Sequence, residues 1–173
     1  MNKEKICEKA LAELKSGEPS ALSVLYDTMA RQLFSLAYTI TGNYCDAEDA
    51  LQNTMIDILN SCRGYSGGKA TAWLFAVTRN NALDVMRKRK REAEVSLEEV
   101  NDSELKSENS ELSIVETLDM LNVLDEDEKQ IVVMRLYSKM PYSEISDIMG
   151  IKVFAAQKKY QRAIGKLKKY NPQ

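Results

Sequence analysis

The residue types that could carry chemistry indicate binding rather than covalent catalysis. Histidine is absent from the 173 residues, and the three cysteines, Cys7, Cys45 and Cys62, are far apart in the sequence. A thiolate–imidazole pair and a histidine-containing zinc site are therefore excluded, and no glycine-rich phosphate loop or paired acidic site stands out. An enzyme is the class of protein that the sequence favours least, and we expect neither a cofactor nor a bound metal.

Cations at helical spacing near the end of the chain are the first candidate for a binding surface. From about Val153 the periodicity predicts an amphipathic helix. A short helix over residues 142–149 and a turn at Gly150 precede it, which is the layout of a helix-turn-helix. The apolar row of the long helix consists of Ala156, Tyr160, Ala163 and Leu167, and roughly opposite lie Lys159, Arg162, Lys166 and Lys169. Such a helix suits the major groove of DNA, but a solubilising surface helix, or one that binds membranes or acidic proteins, has the same pattern.

Residues 71–91 are the second candidate, because the helix predicted there runs from an apolar start into a strongly basic end. Near one row fall Trp73, Asn80, Asp84, Arg87 and Arg91, and Arg79, Lys88, Arg89 and Lys90 enlarge the positive field. An aromatic ring and an amide beside cations could hold unstacked bases as well as phosphate. In the alternative interpretation Trp73 packs in the core and Asp84 pairs with a cation at helical spacing.

The third candidate is a predicted helix that begins near Asp46. Its apolar side consists of Ala47, Leu51, Met55 and Ile58, and its other side carries Asp49, Gln52, Asn53 and Ile56. An apolar residue among acid and amide groups indicates a protein interface. A simple solvated face is the alternative interpretation.

Further helices are needed to position these candidates. The stripe Leu22, Leu25, Met29, Leu33, Leu36 and Ile40 recurs at steps of three and four. It predicts a helix that ends at Gly42 and Asn43. Glycines at positions 64, 67 and 68 predict a mobile loop over residues 62–69. Later in the chain, the four acids at residues 125–128 suit the first turn of a helix that continues through about Tyr137.

Charge divides the chain into three blocks, although the net charge is only −2. Residues 1–91 carry +3, residues 92–128 carry −13 and residues 129–173 carry +8. Residues 92–112 are acidic and short of aromatic side chains, so they cannot bury enough surface to fold alone. We therefore interpret them as a linker between two basic, helical segments.

Nothing in the sequence predicts a membrane span or a secretory segment. The longest apolar run, residues 72–77, is far shorter than a span, and charged residues occupy the N terminus where a signal peptide would have its apolar core. We therefore expect reduced cysteines and a cytoplasmic protein with no direct membrane insertion.

Taken in order, these motifs resemble the bacterial RNA polymerase sigma factors of the sigma-70 class, in particular the extracytoplasmic-function (ECF) group. The matching strings are Asp46-Ala47-Glu48-Asp49 with Gln52, Ala72-Trp73-Leu74 with Arg79-Asn80, Ala82, Asp84 and Arg87, Met134-Arg135-Leu136-Tyr137 with Tyr142-Ser143-Glu144-Ile145, and Arg162-Ala163. The resemblance covers roughly residues 20–170. It implies an all-α fold of two small helical domains, residues 1–91 and 113–173, joined by a flexible acidic linker over residues 92–112, with a helix-turn-helix in the second domain.

The same resemblance implies that the protein directs promoter-specific transcription initiation without being an enzyme. Its partners would be core RNA polymerase and promoter DNA, and members of this group often have an anti-sigma factor as well. Core polymerase would be contacted by Asp49, Gln52, Asn53 and Ile56. The minus-ten element would be opened and held by Arg63, Tyr65, Trp73, Arg79, Asn80, Asp84 and Arg87. The minus-thirty-five element would be read by Gln157, Lys158, Lys159, Arg162 and Lys166.

Two departures from the family pattern concern promoter choice. Where family members often have a Thr-Val-Lys-like string, this chain has Ala155-Ala156-Gln157, so a phosphate-binding hydroxyl is lost and Gln157 becomes the best amide for a base edge. Gly165 interrupts the same helix, at a cost of about 1 kcal/mol relative to alanine.

The runner-up function is a stand-alone helix-turn-helix transcriptional regulator whose N-terminal domain dimerises. An adaptor whose basic helix binds an acidic protein is the third possibility.

Overall fold

Eight α-helices form most of residues 2–95 and 109–170, which are the residues that the computed structural model describes. They are α1 (Lys3–Lys15), α2 (Ala21–Thr41), α3 (Tyr44–Ser61), α4 (Ala70–Val95), α5 (Asn109–Asp119), α6 (Glu126–Val132), α7 (Tyr142–Met149) and α8 (Val153–Tyr170). Two short 3-10 turns, Cys62–Gly64 and Met120–Val123, and a π-helical segment, Val133–Tyr137, complete the regular structure of these ranges. Every regular element there is helical, which confirms the predicted all-α class.

The turn between α2 and α3 has the caps that its sequence predicts. Gly42 adopts a left-handed conformation with φ of 65°, and its backbone N–H donates to the carbonyl of Tyr38 at 2.8 Å. The side chain of Asn43 accepts a hydrogen bond from the backbone N–H of Asp46 at 3.0 Å and so caps α3. One glycine and one asparagine therefore end one helix and begin the next.

Helix α2 is the centre of the N-terminal half, since it contacts α1, α3 and α4. The predicted stripes on α2 and α3 are buried at Leu25, Met29, Leu33, Leu36, Ile40, Ala47, Leu51, Met55 and Ile58. Leu22, at the start of the first stripe, is half-buried. Helix α1 contributes Cys7 and Leu11 to the same core, and α4 contributes Leu74 and Phe75. Helix α1 is therefore an integral packing element of this half.

Helices occupy both ends of the segment predicted as a linker over residues 92–112. Helix α4 continues past Arg91 to Val95, and an ion pair of 3.9 Å between Lys88 and Glu92 supports its last turns at i,i+4 spacing. Helix α5 begins at Asn109. Residues 96–108, the rest of the predicted linker, lie outside the described residues.

The acidic run at residues 125–128 forms a capping box at the start of α6. The Asp125 side chain accepts from the backbone N–H of Glu128 at 2.8 Å, and the Glu128 side chain accepts from the backbone N–H of Asp125 at 3.1 Å. These two hydrogen bonds satisfy two backbone donors that would otherwise lack a partner at the helix start. The helix predicted through about Tyr137 becomes π-helical from Val133 onward.

Helices α7 and α8 form the predicted helix-turn-helix. Gly150 ends α7 in a left-handed conformation with φ of 66°, and its N–H donates to the carbonyl of Ser146. The rings of Tyr142 on α7 and Tyr160 on α8 meet edge to face, with centroids 5.9 Å apart. Ile145 and Ala156 are fully buried. These contacts hold α8 at a defined angle to α7 and leave one of its sides exposed.

The two halves of the chain pack against each other. Helix α2 contacts α5, α6 and the π-helical segment, and α4 contacts α7. Arg79 Nε donates to Gln130 Oε1 at 2.8 Å, and Tyr38 donates its hydroxyl to Asp119 at 2.9 Å. Lys69 also forms an ion pair with Glu144. Buried apolar side chains of both halves belong to one continuous core.

The cysteines should differ sharply in reactivity, because only a thiolate attacks an alkylating reagent. Burial, with a smaller contribution from the charge of Glu4, raises the pKa of the Cys7 thiol to about 11. Cys45 is exposed, whereas Cys62 is buried and its thiol donates to the carbonyl of Leu59. We expect iodoacetamide near neutral pH to modify Cys45 first and Cys7 only after unfolding in urea, as measured by peptide mass spectrometry. Equal labelling of Cys7 and Cys45 in native buffer would contradict the packing of α1.

Candidate nucleic-acid and protein interfaces

The exposed side of α3 brings together the residues predicted to contact a protein. Asp49, Gln52, Asn53 and Ile56 are all exposed, and Ile56 as a residue is 55% accessible. Leu59, one turn beyond Ile56, is also exposed and extends the apolar part of this surface. The sequence analysis missed Leu59, although its i+3 spacing from Ile56 is a usable signal. We call these five residues the α3 surface.

The loop between α3 and α4 is tied down by α1. Lys15 donates to the backbone carbonyl of Tyr65, and the carboxylate of Glu4 accepts from the backbone N–H of Thr71 at 3.3 Å. Four residues on either side of the Tyr65 attachment, Arg63, Gly64, Gly67 and Gly68, are exposed. Helix α1 thus determines where the loop lies, a role that the sequence analysis left open.

Tyr65 is a correction to the set of side chains expected to face DNA. Its side chain lies in the core with a residue exposure of 7%, and its hydroxyl donates to the carbonyl of Gly68 at 2.9 Å. Its ring packs against Trp73, with centroids 5.5 Å apart, and burial raises the pKa of its hydroxyl. The buried ring supports the loop and Trp73, and in this packed arrangement it is not exposed to stack on a base.

The remaining residues expected at the minus-ten element are only partly brought together. Trp73 is half-buried beside Tyr65, and Arg79 is half-buried on the side of α4 that approaches the C-terminal half, where it is engaged by Gln130. Asn80, Asp84 and Arg87 are exposed. Arg87 and Asp84 form an ion pair of 2.6 Å, as the alternative interpretation of the sequence proposed.

Three of the cations expected to read DNA from α8 are engaged within the protein. Lys159 donates to Asp127 at 2.8 Å, and this hydrogen bond raises the pKa of its ammonium group. Lys166 lies 2.6 Å from Glu128 Oε2, and Arg162 Nε lies 3.6 Å from Glu128 Oε1. The carboxylate of Glu128 has no exposed surface. Lys159, Arg162 and Lys166 therefore face α6, and the expectation that they lie opposite the apolar row is wrong for these three. Lys169, the fourth cation of the predicted row, is exposed.

The side of α8 that is opposite the apolar row has a different composition. It consists of Phe154, Lys158, Gln161, Gly165 and Lys168, which are all exposed. Phe154 is 67% accessible, and the Lys158 ammonium lies 5.3 Å from the centroid of its ring. Gln157 lies at the edge of this side and is half-buried. We call Phe154, Gln157, Lys158 and Gln161 the α8 surface. Because successive residues of a helix are rotated by about 100°, the sequence alone would have placed Phe154 and Gln161 on the side opposite Ala156.

The fold and these surfaces define a class of protein: an all-helical chain whose C-terminal half presents a helix-turn-helix. Comparison with protein families then gives two matches in chain order, to Sigma-70 region 2 over residues 25–92 and to Sigma-70 region 4 over residues 114–167. The chain belongs to the sigma-70 family of RNA polymerase sigma factors, within the ECF group.

Several relatives carry the ECF sigma factor description. SigE of Mycolicibacterium smegmatis is 39% identical over 38% of this chain and 27% of its own length. BldN of Streptomyces coelicolor is 25% identical over 91% of this chain and 63% of its own length, and SigM of Bacillus subtilis is 25% identical over 73% and 80%. The matches thus span less than two thirds of the length of SigE and BldN.

Two solved structures share the fold. CnrH, in complex with the cytosolic domain of CnrY, superposes with a TM-score of 0.71 at 19% identity, covering 98% of this chain and 97% of CnrH. The sigma factor RpoE of Bartonella quintana, in complex with the anti-sigma factor NepR, gives a TM-score of 0.65 at 22% identity over 85% and 95% of the two chains.

Within the described ranges, none of the helices has the length and apolar character needed to cross a membrane.

Removing one cation from Glu128 should destabilise the C-terminal half. In Lys166→Ala the buried carboxylate loses its 2.6 Å partner and keeps the backbone N–H of Asp125 and the longer contact to Arg162. Leaving a buried charged acceptor under-satisfied costs about 1–3 kcal/mol, which a lower urea midpoint would report. Lys168→Ala removes the same side chain from an exposed position of α8 and should change the free energy of unfolding by about 0.5 kcal/mol or less. Equal effects of the two variants would contradict the assigned role of Glu128.

Proposed function

We propose that this chain is an RNA polymerase sigma factor that binds core polymerase and gives it promoter specificity. The observation that carries the proposal is the order of the two family modules, region 2 followed by region 4, each with an exposed surface suited to its partner. The α3 surface would bind core polymerase, α4 with the preceding loop would bind the minus-ten element, and α8 would bind the minus-thirty-five element.

The α3 surface supports the assignment to a protein partner. Ile56 and Leu59 are apolar side chains held in solvent beside Asp49, Gln52 and Asn53, which are exposed polar groups. Such a mixture is typical of an interface with an apolar centre and a polar rim. The opposite side of α3 is buried in the core, so the exposed residues are free to be substituted without loss of packing.

For the minus-ten element, the groups that support the proposal are Arg63, Asn80, Asp84 and Arg87, which are exposed, and Trp73, which is half-buried. Their contribution would be noncovalent: stacking in DNA is worth about 1.4 kcal/mol per step, so a few captured bases can bias the open state. The protein would act through binding free energy and perform no catalytic step of its own. A cytoplasmic location follows from this proposal, because bacterial polymerase and promoter DNA are there.

The packing of the two halves bears on how the protein would engage a promoter. Elements centred near minus ten and minus thirty-five lie about 25 base pairs apart, or about 85 Å at 3.4 Å per pair. A compact chain of this length has a radius of gyration of about 16 Å, so the packed halves cannot reach both elements. We therefore propose that the contacts of Arg79 with Gln130 and of Lys69 with Glu144 break on promoter binding. Residues 96–108, which connect α4 of the first half to α5 of the second, could span at most about 45 Å when extended.

An anti-sigma partner is part of the same proposal. The solved structure of RpoE with NepR is a sigma factor of this fold held by an anti-sigma factor. In this chain an apolar cavity of about 310 Å³ lies between α2, α5 and the π-helical segment, lined in part by Ile114, Leu121 and Leu136. A cavity at the junction of the two halves suits a ligand that keeps the halves together.

Asp49→Ala combined with Gln52→Ala should weaken binding to core polymerase about tenfold or more, because two polar contacts worth about 1 kcal/mol each would be lost. Fluorescence titration of labelled protein with core enzyme measures the effect, and circular dichroism confirms folding. Asp27→Ala, which removes an exposed acid from α2, is the matched control and should bind normally. Unchanged affinity of the double variant would refute the polymerase assignment of the α3 surface.

The function itself is tested by run-off transcription with core polymerase on genomic DNA. We expect start sites that occur only when this protein is added, and weak, salt-sensitive DNA binding by the protein alone. A stand-alone regulator would instead bind an operator tightly without polymerase and would add no start sites. An adaptor for an acidic protein would show no steep salt dependence on DNA, whereas phosphate contacts give a slope of about −0.9 per contact.

A further inference from the structure

Phe154 is a large apolar side chain in the first turn of α8, and the protein does not use it for packing. It is the second residue of the helix and is 67% accessible, while its neighbour Val153 is 41% accessible. The helix is held against the rest of the protein by its other side, through Ala156 and Ala163, which are fully buried. The ring of Phe154 therefore contributes little to the fold and is available to a partner.

The surroundings of Phe154 indicate a polyanion as the partner. One turn along the helix the Lys158 ammonium lies 5.3 Å from the centroid of the ring. Lys158 and Lys168 are exposed on the same side of α8, and Lys152 is exposed just before the helix. None of the three forms an ion pair with a described residue. Gln157 and Gln161 add amide groups, and no acidic side chain occurs in α8. This surface complements DNA in charge and offers one apolar group at its N-terminal end.

The cations that pair inside the protein strengthen this assignment. Lys159, Arg162 and Lys166 neutralise Asp127 and Glu128, so base reading from that row would first require breaking these pairs. Gly165, two turns from Lys158 on the exposed side, has no atom within 4 Å of the position that a Cβ would occupy. With Phe154, Lys158, Gln161 and Lys168 also exposed, this side of α8 is accessible to solvent along its length.

We propose that Phe154 contacts the C5-methyl group of a thymine in the major groove of the minus-thirty-five element and is a specificity determinant of this sigma factor. The inference rests on the proposed function and names a residue and a base for it. The first turn of the second helix of a helix-turn-helix lies nearest the base edges. Among the four bases only thymine presents a methyl group in the major groove, and phenylalanine is one of the side chains that contact it. Lys158 binds the adjacent phosphate.

The test uses the full-length protein with core polymerase on a promoter identified by run-off transcription. Each thymine of the minus-thirty-five element is replaced in turn by deoxyuracil, which lacks only the methyl group. We expect one replacement to weaken promoter binding about threefold to fourfold, the effect of removing one buried methyl group. Phe154→Ala should weaken binding to the thymine promoter and abolish the difference between thymine and uracil at that position.

Two controls separate this contact from general effects. Lys158→Ala should weaken binding to all sequences and reduce the salt slope by about one contact, while it retains the preference for thymine. Tyr170→Ala removes an exposed aromatic ring from the far end of the same helix and should change neither property. A thermal melt of Phe154→Ala should match that of the unaltered protein, since the ring is exposed.

The outcomes distinguish the inference from the function on which it rests. If the unaltered protein supports promoter-dependent transcription and Phe154→Ala keeps the full preference for thymine, the contact is refuted and the function stands. The same holds if no thymine in the element is sensitive to loss of its methyl group. If core polymerase with the unaltered protein starts transcription at no promoter, the proposed function fails, and this inference fails with it.

Discussion

The buried carboxylate of Glu128 is the constraint on which the C-terminal half depends. A charged group without exposed surface is costly to desolvate, and three kinds of partner offset that cost. The carboxylate accepts from the backbone N–H of Asp125, lies at the positive end of the α6 dipole and is paired with Lys166 and Arg162 of α8. A single side chain thereby caps one helix and determines the rotation of another about its own axis.

That rotation decides which side of α8 is exposed to solvent. With Lys159, Arg162 and Lys166 turned toward α6, the side left in solvent carries Phe154 and Lys158. The net charge of +8 over residues 129–173 is therefore divided into cations that stabilise the fold and cations that remain available to phosphate. An argument from total charge cannot make this division, because it depends on which acids lie across the helix interface.

The N-terminal half shows which structural features helical periodicity predicts by itself and which it does not. The stripes on α2 and α3 are buried as predicted, and the caps at Gly42, Asn43 and Gly150 lie where the sequence places them. These features follow from local geometry, since helix periodicity and left-handed φ values are properties of short segments. Tyr65 was assigned incorrectly because its burial depends on Lys15 and Trp73. Arg79 was predicted as a DNA contact, whereas in the packed protein it binds Gln130, which is 51 positions away in the chain.

By itself the sequence determined the helical class, the helices that carry the apolar stripes and the helix-turn-helix, the exposure of Asp49, Gln52, Asn53 and Ile56, and the order of motifs by which the family is recognised. Only the tertiary structure decided which cations pair internally, that Tyr65 supports its loop, that α1 holds that loop in place, and that the two halves pack together. The physical reason is the separation along the chain over which each effect acts. Propensity, capping and periodicity act within a few residues, whereas ion pairs and burial depend on partners from distant segments. The exposed ring of Phe154 became significant only when the opposite side of α8 was seen to be packed.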